Sequence, residues 1–565
     1  LHLAAADGDV TAPGASAFRQ WRNATLAPFS QRVFAAFWFA TLVSSLGTLI
    51  QSVGASWLMA TIAPSPDMVA LVQVAGALPF FFFSLIAGAY ADTHDRRTTM
   101  LASQWLMLIV SAALAAITLA GHITPTLLLL LTFLLGCGSA AFAPAWQSSI
   151  GDQVPRAQIP SAVMANAVGF NLARSVGPAI GGVIVAAAGA AAAFVINAFS
   201  YIGMLVTLLW WKPDRPRNPL PPEPLATAMH AGVRYVLLSP HLLAILARCL
   251  LFAVPMAAVP ALMPIVARDL LGGGAPTFGI LLAGFGIGAM GAALSSAALR
   301  ARFSSDAVLR AICVVAFVAM VVIGQSRSFA LTLLAHVMAG SVWTLGLATF
   351  NITVQMSSPR WVTGRTLAIY QTIAFGGMAL GSWAAGELAT LVGLRETITA
   401  AGVAALGTLL VARWLPVAVA TTGSLDPQAT AAVRPPHVEI HDASGPIVVT
   451  ITYRVPAHNA VAFLEIINEI GRVRRRDGAR RWSVCQDIDD PVYWVERFES
   501  PTWLDYLRRQ SRPTQADQEL RQRMLGLIIG EQGIVRRMVE RPSGSEPLGS
   551  DPSRPEPMDD TSGHS

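Results

Sequence analysis

The chain has 565 residues, 54% of them hydrophobic and 13% charged, with a mean hydropathy of +0.54. Soluble globular domains carry about 25% charged residues, so the composition excludes an ordinary soluble protein and reads as a membrane protein. A net charge of +6 is too modest to point to nucleic acid, and Cys137, Cys249, Cys313 and Cys485 have neither metal-ligand nor CxxC spacing, so no metal, cofactor or disulfide framework is expected.

The opening LHLAAADGDV has no initiator Met and no signal-peptide pattern. Insertion is therefore expected to use the first apolar segment, behind an N-terminal tail over 1–31. A bilayer-spanning helix needs about 20 mainly apolar residues. About twelve such runs follow in order, near 33–60, 68–91, 98–120, 124–148, 162–187, 190–211, 241–267, 277–299, 307–325, 329–355, 364–392 and 396–415. They predict an all-α membrane protein of twelve transmembrane helices in two six-helix halves, 32–211 and 241–416. The linker over 212–240 carries the proline-rich text DRPRNPLPPEP.

Arginines set the orientation. With the N-terminus inside, one set of connections holds Arg19, Arg22, Arg32, Arg96, Arg97, Arg156, Arg215, Arg217, Arg234, Arg300, Arg302 and Arg360, whereas the opposite set holds Arg268, Arg327 and Arg395 singly. Both ends of the membrane part are thus expected in the cytoplasm. The halves also align. Placing Pro155 on Pro359, a shift of 204 residues (359 − 155), brings Arg156 onto Arg360, Gly177 onto Gly381, Gly182 onto Gly386 and Gly189 onto Gly393. Such parallel repeats are typical of transporters.

Beyond Pro416 the text turns polar. A linker over 417–445 leads to a soluble domain over 446–541. Its strands IVVTITYRV, RWSVCQDI, VYWVERFE and GIVRRMVER, with helices between, give a β-α-β-β-α-β order, a ferredoxin-like pattern. The tail over 542–565 is low in apolar residues and is expected to be disordered.

Four features carry candidate chemistry. The segment GAYADTHDRR places Gly88, Asp92, Arg96 and Arg97 in a short turn between two apolar runs. Glycine lets a neighbouring helix approach closely, and a carboxylate can accept from arginine or from a helix start. The turn resembles the signature G-x-x-x-D-R-x-G-R-R of the major facilitator superfamily, departing from it at Thr93 and Asp95. The resemblance implies a gate in which Asp92 docks at the start of the eleventh helix, near the candidate cap Thr363, and holds the cytoplasmic side shut in one conformation.

NLARSVGPAIGG, on the fifth helix, puts Asn171, Arg174 and Pro178 on one face and pairs Gly177 with Gly181, next to Gly182. Pro178 should bend the helix. This segment is similar to the motif G-x-x-x-G-P-x-x-G-G of exporters in the same superfamily, with Ala173 at the first glycine. That motif is associated with drug–proton antiport. The longer text from PAWQSSIGDQVPRAQI through FVINAFSY resembles a subgroup that includes the enterobactin exporter, macrolide efflux proteins and transmembrane secretion effectors.

Charged or titratable groups inside a membrane are functional candidates by default. Here they are Arg174, Arg248, Glu387 and His336, with Gln51, Asn166, Tyr370 and Gln371 as polar candidates for a cavity wall. With so few buried charges, an amphiphilic substrate suits the cavity better than a sugar or a small ion. Finally, RRRDGARRWSVCQDIDDPVYWVERFES and TWLDYLRRQ resemble the dimeric α+β domains related to antibiotic-biosynthesis monooxygenases, which makes this domain a candidate homodimer contact or regulatory module.

No phosphate-cradling GxxxxGKS/T loop occurs, which disfavours direct use of ATP. The sequence therefore predicts a multi-pass secondary transporter of a bacterial cytoplasmic membrane, exporting a small amphiphilic molecule (drug, macrolide or siderophore-like) by alternating access in exchange for protons. The alternative is a membrane-tethered enzyme with oxygenase-like chemistry in the C-terminal domain.

Overall fold

A bilayer core offers the backbone no hydrogen-bond partner, so each long apolar stretch must satisfy its own N–H and C=O groups as a helix. The computed structural model describes residues 27–63, 65–93, 95–155, 158–212, 225–359, 361–415, 435–510, 512–530, 533–541 and 543. Most of both tails and parts of both predicted linkers lie outside the described residues.

The helices of the N-terminal half are α1 (Arg32–Ile62), α2 (Pro66–Thr93), α3 (Arg96–Leu119), α4 (Pro125–Gln153) and α5 (Ile159–Trp210). A short α6 (Leu225–Leu237) leads to α7 (Pro240–Met256) and α8 (Ala258–Ile265), which ends in a π turn over Val266–Leu270. Then come α9 (Ala275–Arg302), α10 (Ser305–Gln325), α11 (Phe329–Met356), α12 (Thr363–Val392) and α13 (Leu394–Ala412). Polar caps fix several starts. Thr124 accepts from the Leu127 N–H (3.3 Å) ahead of Pro125, Ser304 accepts from the Ala307 N–H (3.2 Å), and Asp95 accepts from the Arg97 N–H (3.2 Å).

Among the described residues, ten helical stretches are long and apolar enough to cross a membrane, counting 240–270 as one. The runs near 162–187 and 190–211 fall in the single 52-residue α5. It breaks at Gly189, whose φ of 77° and ψ of 171° are open to glycine without strain. Gly393, which the 204-residue shift places on Gly189, adopts the same left-handed form (φ 100°, ψ 160°) at the start of α13. α12 is not among the ten; Arg365, Gln371, Ser382 and Glu387 all lie on it.

The described residues within 1–229, 244–353 and 367–418 form one unit, and those within 230–243, 354–366 and 419–565 a second. In the first, α1, α3 and α9 pack on α5, α2 on α4, and α10 on α13. In the second, β1 (Ile447–Arg454), β2 (Arg480–Gln486), β3 (Tyr493–Ser500) and β4 (Ile534–Val539) form an antiparallel sheet in the order β2-β3-β1-β4. Helices α14 (Ala460–Arg476), α15 (Trp503–Gln510) and α16 (Gln515–Leu525) complete it. Strand alternation puts Val449, Ile451, Tyr453, Trp494 and Phe498 into a core with Phe463, Ile467 and Ile470 of α14.

A carboxylate sits in that core. Glu496 on β3 is fully buried, and its carboxylate accepts from Tyr453 Oη (2.9 Å), Trp482 Nε1 (3.0 Å) and Arg474 Nε (3.2 Å). Burying a charge is costly unless it is paired and hydrogen-bonded. Arg474→Met should therefore destabilise this unit by about 3 kcal/mol. Hydrogen exchange of the β1 and β3 amides should speed up accordingly, while exchange in α1 to α5 stays unchanged.

Candidate functional site

The fifth-helix motif is where several helices meet. Pro178 lies inside α5 and removes one ladder hydrogen bond. The glycines around it take the place of side chains at three contacts. A Cβ on Gly177 would lie 3.0 Å from Leu49 Cβ, and one on Gly181 would lie 3.1 Å from Ile50 Cα, so both glycines let α1 nest against α5. Gly182 faces α9 instead. Its Cβ would sit 2.8 Å from Gly279 Cα, and a Cβ on Gly279 would sit 2.7 Å from Gly182 Cα and 3.0 Å from the Pro178 carbonyl oxygen. The N-terminal and C-terminal halves thus touch backbone to backbone. Beside this contact the Arg174 guanidinium lies over the Phe285 ring of α9, at 5.8 Å. The side chain of Asn171 lies outside the described residues.

α12 and α2 repeat the arrangement. A Cβ on Gly386 would lie 2.7 Å from Ala70 Cβ and 2.9 Å from Asp67 Cα, and one on Gly376 would lie 2.6 Å from the Phe81 ring. Phe80 stacks on Phe375 with centroids 4.6 Å apart. At the end bearing Ile62, Trp57 of α1 stacks on Phe278 of α9 (6.3 Å), and Arg268 Nη1 donates to the Ala60 carbonyl. Among the described residues, the halves therefore meet near this end through an aromatic stack, a guanidinium–carbonyl bond and glycine contacts, and at mid-helix through Phe80 and Phe375.

The signature turn is described in part. α2 runs through Gly88 and Asp92, whose side chains lie outside the described residues. The two arginines are anchored within the N-terminal half. Arg96 Nη1 pairs with Asp152 at the end of α4 (3.1 Å). Arg97 donates to the carbonyls of Leu208 (2.8 Å) and Leu209 (2.9 Å), the free acceptors at the end of α5. Asp95, at the position where the family glycine is usual, caps α3. Thr363 is the first residue of α12, and its hydroxyl donates to the carbonyls of Pro359 (2.8 Å) and Ser358 (3.1 Å).

The remaining candidates are dispersed. Gln51 is buried, and its Oε1 accepts from Ser111 Oγ (2.7 Å) and Asn197 Nδ2 (2.6 Å), with Tyr201 Oη 3.0 Å from Asn197 Nδ2. This polar knot ties α1, α3 and α5 together. The side-chain amide of Asn166 is buried with no hydrogen-bond partner among the described residues. Buried Arg248 on α7 pairs with Asp306 at the start of α10, and Arg310 shares that carboxylate (2.7 Å). His336 is fully buried in α11; its Nδ1–H donates to the Thr332 carbonyl (2.7 Å), and its Nε2 is buried without a partner among the described residues. Tyr370 Oη donates to the Leu347 carbonyl (2.8 Å), Gln371 is half-buried, and Glu387 lies exposed six residues (393 − 387) before Gly393. None of these three touches Arg174 or His336 in a described hydrogen bond or ion pair. Among the described residues, no cluster of three or more His, Cys, Asp or Glu could hold a metal ion.

The second unit holds a further constellation. Tyr235 of α6 and Trp361, just before α12, meet edge to face (5.5 Å). Arg476, at the end of α14, lies over Tyr235 (5.1 Å), and Arg512 lies over Trp361 (4.2 Å). Arg476 is itself held by Asp477 and Asp517 (both 3.1 Å).

A family model described as transmembrane secretion effector matches residues 23–543. The chain belongs to this family of major facilitator transporters. The transporter is 28% identical over 392 residues to the multidrug efflux pump Tap of Mycolicibacterium fortuitum, a match covering 67% of this chain and 94% of that pump. It is 28% identical over 174 residues to a staphyloferrin A transporter of Staphylococcus aureus, covering 30% of this chain and 44% of that protein. Its fold resembles a bacterial homologue of the human lysosomal transporter Spinster in an inward-facing, unoccupied conformation. The TM-score is 0.54 at 16% identity, over 68% of this chain and 97% of that one.

Several residues of the transporter escaped sequence reasoning. Gly279 lies in a glycine-rich run with nothing to single it out. Asp152 and the α5 carbonyls become partners of Arg96 and Arg97 only through tertiary contact. Asn197 and Tyr201, four apart in FVINAFSY, did carry a signal, since two polar groups share one face of an apolar helix. Enlarging Gly182 to leucine should force α5 and α9 apart at a cost of about 1–3 kcal/mol, enough to shift a conformational balance about tenfold. Efflux of a compound that the wild type exports should fall by about that factor in membrane-inserted Gly182→Leu. Gly203→Ala, at a helix position with open space around it, should leave efflux unchanged.

Proposed function

We propose that this transporter exports a small amphiphilic molecule from a bacterial cytoplasm by alternating access, with protons as the counter-ion. The observation that carries the reading is the pair of glycine contacts, Gly182 with Gly279 and Gly386 with Ala70 and Asp67, at which the two halves meet. Such contacts let two bundles separate and close again without displacing large side chains. Twelve spans follow if α5 crosses twice, breaking at Gly189, and α12 crosses once. The arginine asymmetry then puts both termini in the cytoplasm and the Trp57–Phe278 end outside, so that the halves are closed toward the exterior.

Gly88, Asp92, Arg96 and Arg97 form the cytoplasmic gate in this reading, with Arg96 and Arg97 keeping the N-terminal half rigid while Asp92 engages and releases. Arg174, beside the interhalf contact, is placed to attract an electron-rich or anionic part of the substrate. Gln51, Asn166, Tyr370 and Gln371 are proposed to line or support the cavity, Arg248 to brace α7 on α10, and His336 or Glu387 to carry the coupled proton. The efflux pump Tap supports a drug-like substrate, and the staphyloferrin A transporter supports a siderophore-like one. The C-terminal unit reads as a ferredoxin-like regulatory module whose Arg476 and Arg512 grip Tyr235 and Trp361, and as a candidate homodimer contact.

The test is an accumulation assay in an efflux-deficient host with ethidium and erythromycin. The wild type should lower the steady-state level of at least one compound, a protonophore should restore it, and Asp92→Asn should raise it. Equal accumulation with and without the wild-type protein for both compounds would remove the drug-export reading.

A further inference from the structure

The C-terminal unit contains a cavity that takes no part in transport as described above. It measures about 110 Å³ and lies between the helix-side face of the sheet and helices α14, α15 and α16. Ile451, Tyr453, Ile470, Leu520 and Met524 give it apolar walls, while Arg474, Asp477, Arg509, Asp517 and Arg521 contribute charged groups.

Most of these charges are already committed. Arg474 is bound to Glu496, whose carboxylate also accepts from Tyr453 and Trp482. Asp477 and Asp517 hold Arg476, and Asp517 also closes the capping box of α16 with Thr514. Arg521 is exposed to solvent, and the buried exception is Arg509. Its side chain is only 6% exposed, and Nε, Nη1 and Nη2 are all buried with no hydrogen-bond partner among the described residues. Its guanidinium rests over Phe498 (4.1 Å) and near Tyr506 (5.6 Å), which offsets part of its desolvation through the rings. Burial, followed by the charge of Arg474, pushes its pKa down to about 9. An arginine still charged at neutral pH, buried, and with every donor unspent is costly to keep. The remedy that fits is an acceptor arriving from the cavity that the side chain lines.

We propose that this cavity binds a small apolar monoanion, a single-ring or short branched-chain carboxylate, with its carboxylate on the Arg509 guanidinium and its hydrocarbon body against Ile451 and Met524. The planar fork of arginine matches a carboxylate in two-point contact. The cavity is of the order of the engineered apolar cavity of about 150 Å³ that takes benzene, which sets the size of the body. Asp477 and Asp517 on the same wall disfavour a second negative charge, which excludes phosphate-like dianions. The site is built from residues of the C-terminal unit alone, so its test does not depend on the substrate exported.

Benzoate and isovalerate, titrated calorimetrically into the full-length protein in nanodiscs, are the probes; benzamide is the neutral control. The wild type should bind at least one carboxylate tenfold or more tightly than benzamide. Arg509→Met should abolish that preference without lowering the thermal midpoint, since it removes an unpaired buried charge. Met524→Trp keeps Arg509 but fills the cavity and should weaken binding to a similar extent; it carries the test if Arg509→Met fails to fold. Absence of carboxylate binding at millimolar concentration, equal binding of benzoate and benzamide, or unchanged binding in either folded variant would overturn the proposal.

Discussion

The membrane part depends on a contact made without side chains. Where Gly182 meets Gly279, α5 and α9 approach until a single methyl group on either would overlap the opposite backbone. In lipid, apolar surface gains nothing by leaving the solvent, so helices associate through close packing and a few polar bonds. A contact between two glycines provides such packing and can part without rotamer changes. The surrounding features support it. Pro178 loosens the ladder of α5 there, Gly177 and Gly181 seat α1 in the groove beside it, and Trp57 on Phe278 continues the same seam. α12 and α2 repeat the device at Gly386, the residue that the 204-residue shift places on Gly182.

Much of this frame was legible in the sequence, because hydropathy and glycine spacing report on it directly. The predicted limits of the first four runs fall within α1 to α4 or within a residue or so of their ends, and the PAIGG glycines mark two places where neighbouring helices approach α5 closely. Conformation at Gly189 and Gly393 was legible only as an alignment of two letters; their shared left-handed backbone required coordinates. The polar network was harder to read. Gln51 stands out as an amide in an apolar helix, yet its partners Ser111 and Asn197 are 60 and 146 residues away. Arg248 is equally conspicuous, and nothing local points to Asp306 as its partner. Asp95 looked like a lost glycine; it is an N-cap, a role that the following helical text Arg96–Leu119 permits but does not require.

The C-terminal unit divides the same way. The segments IVVTITYR and VYWVERFE were legible as strands, and the side-chain period of two accounts for most of their buried face. The sheet order β2-β3-β1-β4 is set by tertiary pairing, which the strand text alone does not give. What the letters conceal is which arginine of an arginine-rich domain is partnered. Arg474, Arg476, Arg509 and Arg512 look alike in sequence, yet one neutralises a buried glutamate, two sit over Tyr235 and Trp361, and one is left with its donors unspent. Asp477 belongs both to the cavity wall and to the grip on Arg476.

The central claim is that the seam between α1 and α9 must open and close for transport. The most direct measurement is efflux, of a compound that the wild type exports, by a Trp57→Cys, Phe278→Cys pair, made after Cys137, Cys249, Cys313 and Cys485 have been replaced by serine. A short bifunctional thiol reagent should link the pair and stop efflux, and reduction should restore it. Undiminished efflux with the link in place would contradict the account.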